Sequence, residues 1–175
     1  MTSFNEFLVN LNEIFDTKIP VENWKTIDDS KIGELVIDDA TYIIKLDPLT
    51  YTFDKKTYNF INVVFRKMID GIESEDLTYT NKAGSKVIGA IVNAVKDEIK
   101  KFKTDAIVFV ATDHVEQRMR IYNKLLTNLG LLVGDFRSFV PNVKIPNGKM
   151  SIIFNKNLSD AERQKFIEHT KNIQK

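Results

Sequence analysis

Residues 104–130 read TDAIVFVATDHVEQRMRIYNKLLTNLG. Ala106 to Ala111 is apolar at every position, the mark of a central strand covered on both faces. Asp113 stands where it can cap a helix beginning near His114. In that helix Met119, Tyr122, Leu125, Leu126 and Leu129 recur at three- and four-residue spacing and make one inward face, and Gly130 is placed to stop it. A buried strand running straight into an amphipathic helix sets the architecture as layered sheet and helix.

Upstream, Val87, Ile88, Ile91, Val92, Val95, Ile99 and Phe102 mark an earlier helix that begins near residue 85, with Lys96, Asp97, Lys100, Lys101 and Lys103 on its solvent face. Between Val21 and Asp70 the texture is short and β-rich, punctuated at Asp28-Asp29-Ser30, Asp38-Asp39 and Asp47-Pro48. An antiparallel meander is expected, with strands over Glu34 to Ile37, Thr41 to Leu46, Tyr51 to Phe53 and Tyr58 to Lys67. The last strand alternates Asn59, Ile61, Val63 and Phe65 with Tyr58, Phe60, Asn62, Val64 and Arg66, two largely apolar faces that suit an interior strand. A short strand at Leu77 to Thr80 and two closing strands near Leu131 to Phe139 and Lys149 to Phe154 complete the sheet, the closing pair joined by a loop from Pro141 to Gly148. Ser3 with Glu6 opens an N-terminal helix over 1–16 striped by Phe4, Phe7, Leu8, Leu11, Ile14 and Phe15. Ser159 with Glu162 opens a C-terminal helix over 158–175. The fold class is α+β in one domain, 1–175.

The chain has 175 residues, enough to bury roughly 70% of its unfolded surface without staples. Lys and Arg number 25 against 24 Asp and Glu, so the net charge of +1 supplies no general attraction to nucleic acid or acidic membranes. The basic "KDEIKKFK" lacks interleaved aromatics, which makes nucleic acid a poor partner. With no cysteine, thiol catalysis and thiolate metal sites are excluded. No apolar run approaches a membrane span and no leader is read at the start, so a soluble, cytoplasmic protein is expected.

The order of meander, long strand, glycine-containing segment, amphipathic helix, buried strand, helix with a mid-helix tyrosine and closing strands resembles the GNAT (Gcn5-related N-acyltransferase) fold over about residues 33–154. It also resembles small uncharacterised bacteriophage proteins of that outline, on "DAIVFVA" and "QRMRIYNKLL". The resemblance implies a mixed sheet in which two interior strands, around 58–67 and 105–111, part at one end and leave a wedge. It further implies that backbone amides of Lys82, Ala83, Gly84, Ser85 and Lys86 face a cofactor pyrophosphate, and that Tyr122 protonates a departing thiolate. "NKAGSK" departs from the family pattern, having no Gln or Arg at its first place and no second glycine; a turn glycine with Ser85 as N-cap explains it equally. Tyr122 has the second reading of a ring packed on the sheet. Arg118 is either an anchor for a carboxylate such as Asp113 or an anion-binding residue at the mouth of the cleft. Glu73, Glu75, Asp76 and His114 are candidate bases by type alone, and no metal site is read from His114 and His169.

Two functions follow. One is a non-catalytic, phage-type protein acting through protein contacts, as a virion component or host-factor modulator, without cofactor and with a second copy of the chain among its candidate partners. The other is an acetyl-CoA-dependent N-acetyltransferase. Exposure of several of Trp24, Tyr42, Tyr51 and Phe53 would mark an interface.

Overall fold

A computed structural model describes residues 20–37, 40–73, 81–132 and 134–173. The helix read over 1–16, the Asp38-Asp39 turn and the strand read over 77–80 lie outside them. Among the described residues the order is β1 (Glu22–Ile27), β2 (Ser30–Ile37), β3 (Ala40–Phe53), β4 (Lys56–Ile69), β5 (Ile72–Glu73), α1 (Asn81–Phe102), β6 (Ala106–Ala111), α2 (Val115–Leu132), β7 (Phe136–Ile145), β8 (Gly148–Asn155) and α3 (Asp160–Ile173). The strands form one mixed sheet ordered β1-β2-β3-β4-β6-β8-β7, with β5 beside β4. Every pair is antiparallel except β4 with β6.

Tight turns build the meander. Asp28-Asp29, Asp54-Lys55 and Asp70-Gly71 each carry positive φ at both positions, between 47° and 78°, and each joins strands that pair immediately beyond. Two-residue turns of this hand match the twist of the strands they connect, and Asp and Gly enter that region most easily. Asp47-Pro48 is no turn. The strands read over Thr41 to Leu46 and Tyr51 to Phe53 are one continuous β3, because β2 stops pairing at Leu46 and leaves β3 an edge that tolerates a residue without N–H.

Three further boundaries differ from the sequence reading. Helix α1 starts at Asn81 rather than near 85. Gly130 lies inside α2 instead of ending it, so Leu131 and Leu132 are helical. A Cβ on Gly130 would fall 2.9 Å from Ile153 Cδ1 and 3.3 Å from the Phe136 carbonyl, so the glycine marks close packing of the helix on β7 and β8, not a chain reversal. The loop read over Pro141 to Gly148 is mostly strand: β7 passes through Pro141 with a bulge at Asn142 (φ 55°) and turns only at Pro146-Asn147. As the outermost strand, β7 accommodates both proline and bulge.

The alternation in β4 sorts two cores. Ile61, Val63 and Phe65 join Ile107 and Phe109 of β6 under α1 and α2. Tyr58 and Phe60 join Ile152, Phe154 and Met150 of β8 under Phe166 and Ile167 of α3. Burying each such side chain contributes roughly 1.5–3 kcal/mol. The stripe read on α1 and the inward face read on α2 are those that pack. Helix α3 opens with the capping box expected of Ser159 and Glu162: the Ser159 N–H donates to Glu162 Oε2 at 2.8 Å, and the Glu162 N–H to Ser159 Oγ at 3.4 Å. Glu162 also pairs with Lys56 and accepts from the Tyr58 hydroxyl at 3.3 Å, and Lys165 pairs with Asp54, which docks the helix on the β3–β4 hairpin.

Candidate functional site

Strands β4 and β6 are clamped at one end and free at the other. The Asp105 N–H donates to the Asn59 carbonyl at 2.7 Å, and its carboxylate accepts from the Asn59 N–H at 2.9 Å. Pairing then runs only from Phe60↔Ala106 to Asn62↔Val108, although β4 continues to Ile69 and β6 to Ala111. Parallel strands parting at their carboxyl ends make the place where open sheets usually hold ligands.

Aromatic rings close this wedge on its helix side. Tyr122 of α2 meets Phe65 of β4 edge-on with centroids 5.5 Å apart, and lies tilted against Phe109 of β6 at 4.9 Å. Phe65, Phe109 and Tyr122 are each at most 1% exposed. Burial pushes the Tyr122 phenol above its ordinary value, opposed by Arg118, whose guanidinium lies by charge and hydrogen bond beside the oxygen. Arg118 is itself only 5% exposed. Its Nε lies 3.0 Å from Asp113 Oδ1, and its Nη2 donates to Asp113 Oδ2 at 3.4 Å. Asp113 therefore serves the arginine, and the residue before α2 is His114, exposed and held at φ 43°. A non-glycine residue there stores backbone strain at the β6–α2 turn.

The other sequence candidates are dispersed. Residues 82–86, read as a phosphate-facing loop, form the first turns of α1. Only the first four amides of a helix lack intrahelical partners, so those of Ser85 and Lys86 belong to the ladder. Glu73 ends β5, whereas Glu75 and Asp76 lie outside the described residues. His169 of α3 sits edge-on to the Tyr51 ring at 4.9 Å. Among the described residues no cluster of three or more His, Asp or Glu is placed to hold a metal ion, and no helix is long and apolar enough to cross a membrane.

A second opening was not read from the sequence. Between β1, β2 and α1 lies a groove of about 730 Å³. Its helix wall is Ala90, Asn93, Ala94, Asp97 and Lys101, spaced as one flank of α1 beside the apolar stripe. Small and polar residues there leave space that a leucine would fill. The opposite wall is Trp24, 42% exposed, whose indole lies over Gly33: a Cβ on that glycine would stand 2.8 Å from the ring. Lys31 donates to both Glu98 carboxylate oxygens, at 2.8 and 2.7 Å, and ties β2 to α1 across the opening. The Ala90–Asn93–Ala94 spacing was the signal available for it.

Of the meander aromatics, Trp24 is exposed, Tyr42 is buried, and Tyr51 and Phe53 are half-buried against α3. Compared with protein-family models, curated proteins and solved structures, the chain matches none.

Proposed function

We propose that this chain is a GNAT-type scaffold that works through protein contacts and not through acyl transfer, as a virion component or host-factor modulator of the bacteriophage kind. The strand order, with one parallel pair at β4 and β6 inside an otherwise antiparallel sheet, supports the GNAT-type arrangement. The observation that carries the function is Tyr122 lodged between Phe65 and Phe109, where an acyl thioester would have to lie. A general acid must come within hydrogen-bond reach of the atom it protonates, and this phenol is enclosed with Arg118 beside it. Ile69 and Ile72, paired across the β4–β5 turn and exposed by 44% and 73%, offer apolar contact surface at the sheet end where β4 finishes.

The alternative, an acetyl-CoA-dependent N-acetyltransferase, is favoured by the position of Tyr122 at the parting of the parallel pair, and it requires that ring to swing out of its seat. Calorimetric titration with acetyl-CoA separates the two. No saturable heat at millimolar ligand is expected. Micromolar binding that Gly84→Asp abolishes would establish the enzyme reading instead.

A further inference from the structure

We infer that the groove between β1, β2 and α1 binds a small planar aromatic carboxylate, its ring held between Trp24 and the methyls of Ala90 and Ala94, its charge met by Asn93, Lys96 and Lys100. Gly33 sets up the aromatic wall. It lies opposite Ile44 on the sheet face that α1 covers, and Cε3 and Cδ2 of Trp24 stand 2.8 and 2.9 Å from where its Cβ would be. The indole is thus seated on backbone and lines the groove while staying 42% exposed. Across about 730 Å³ of room it faces alanines, and a flat ring offset on the indole fits such a slot. That volume lies within the roughly 300–1,000 Å³ of ordinary ligand pockets, which pair apolar walls with a few placed polar groups.

Helix α1 supplies those polar groups as a row of their own. Ala90, Ala94, Asp97 and Lys101 follow one another at helical spacing along the groove, and Asn93, Lys96 and Lys100 make a second row beside them. The first row gives room and the second gives donors. Among the described residues the half-buried Asn93 carboxamide has no hydrogen-bond partner, and Lys96 and Lys100 have no ion pair. With Lys31 and Glu98 paired to each other, the charge left at the opening is Lys96, Lys100 and Lys101 against Asp97, which selects an anion. A single negative charge suits it best. Asp97 stands in the neighbouring row, and the carbonyls of the last turn of α1 repel a group carrying more.

Trp24 is the single tryptophan of the chain, so its indole N–H gives one NMR resonance that reports the groove and not the wedge. Titrating the full chain with naphthoate should move that resonance saturably at sub-millimolar ligand. Naphthamide, the ring without the charge, and cyclohexanecarboxylate, the charge without the ring, should each bind about tenfold more weakly or worse, as loss of a charge-assisted contact implies. Ala94→Phe, which fills the slot, should abolish the shift. Lys96→Ala with Lys100→Ala, both outside the core, should erase the preference for naphthoate over naphthamide and keeps the test decisive if Ala94→Phe fails to fold. An indole resonance unmoved at several millimolar naphthoate would overturn the inference. So would equal affinity for naphthoate and naphthamide in the native chain, or undiminished binding by a folded Ala94→Phe.

Discussion

The wedge and the groove are both gaps between a strand and a helix, and they end in opposite states. At the wedge, topology opens a space by ending the β4–β6 ladder at Asn62 and Val108, and three large rings fill it. At the groove, α1 faces the sheet with the small residues Ala90 and Ala94 where bulk would have closed the interface, and across it Trp24 lies over Gly33. Topology thus locates a possible site, while side-chain volume decides whether one exists. The electrostatics differ in the same sense: the wedge holds its arginine inward on Asp113, whereas the groove turns lysines to its rim.

Tyr122→Ala should break the wedge hardest. Removing a fully buried aromatic ring costs about 3–5 kcal/mol, and urea denaturation should read a loss of that order. A loss under about 1 kcal/mol would mean the rings do not pack as a unit. Next in size, Asp113→Asn takes the charged partner from a nearly buried guanidinium. Hydrogen bonds to charged groups contribute about 1.5–3 kcal/mol, and the exposure of Asp113 puts the expected loss near the lower end. Arg118→Met, which removes the buried charge as well, should cost less than Asp113→Asn if Arg118 is an anchor; the reverse order would favour a role in binding anions.

Acid tests a third region against both openings. Hydrogen bonds from Lys56 and then from Ser159 hold the Glu162 carboxyl down at about 2, against an ordinary 4.5. Because the folded value is depressed, its stabilisation is complete above about 4.5 and is lost as pH falls toward 2. Amide exchange at Phe166 and Ile167 should accelerate over that window while Tyr122 and Phe109 stay protected, and Glu162→Gln should remove the dependence. The smallest effect belongs to the groove: Ala94→Leu enters open space and should change stability by no more than about 0.5 kcal/mol. A large loss there would show that the groove wall is already in close contact.

Much of the frame was legible because periodicity survives folding. The two faces of β4, the all-apolar β6 and the stripes of α1 and α2 were readable from spacing alone, since burial on each face leaves its own residue pattern. Boundaries were less so. Pro48 and Pro141 read as breaks because a proline cannot know from sequence that its N–H side will face an edge. Gly130 read as a stop because the approach of Ile153 from a strand far along the chain is invisible locally. Strand β1 went unread: its residues are all exposed, so no alternation betrays it. As for the site, helical spacing put Tyr122 inward, but only the three-dimensional register brings it between Phe65 and Phe109. Small residues beside the α1 stripe hinted at a gap, yet a void has no residue of its own to announce it.

The central claim is that the wedge is shut by its own side chains, and aromatic NMR reads it directly. With Phe and Tyr ring carbons labelled, the resonances of Phe65, Phe109 and Tyr122 should stay unmoved as acetyl-CoA is added to millimolar concentration. Saturable shifts of all three rings, with Tyr122 losing its ring-current signature from Phe109, would mean that the tyrosine vacates the gap for a ligand and would contradict the account.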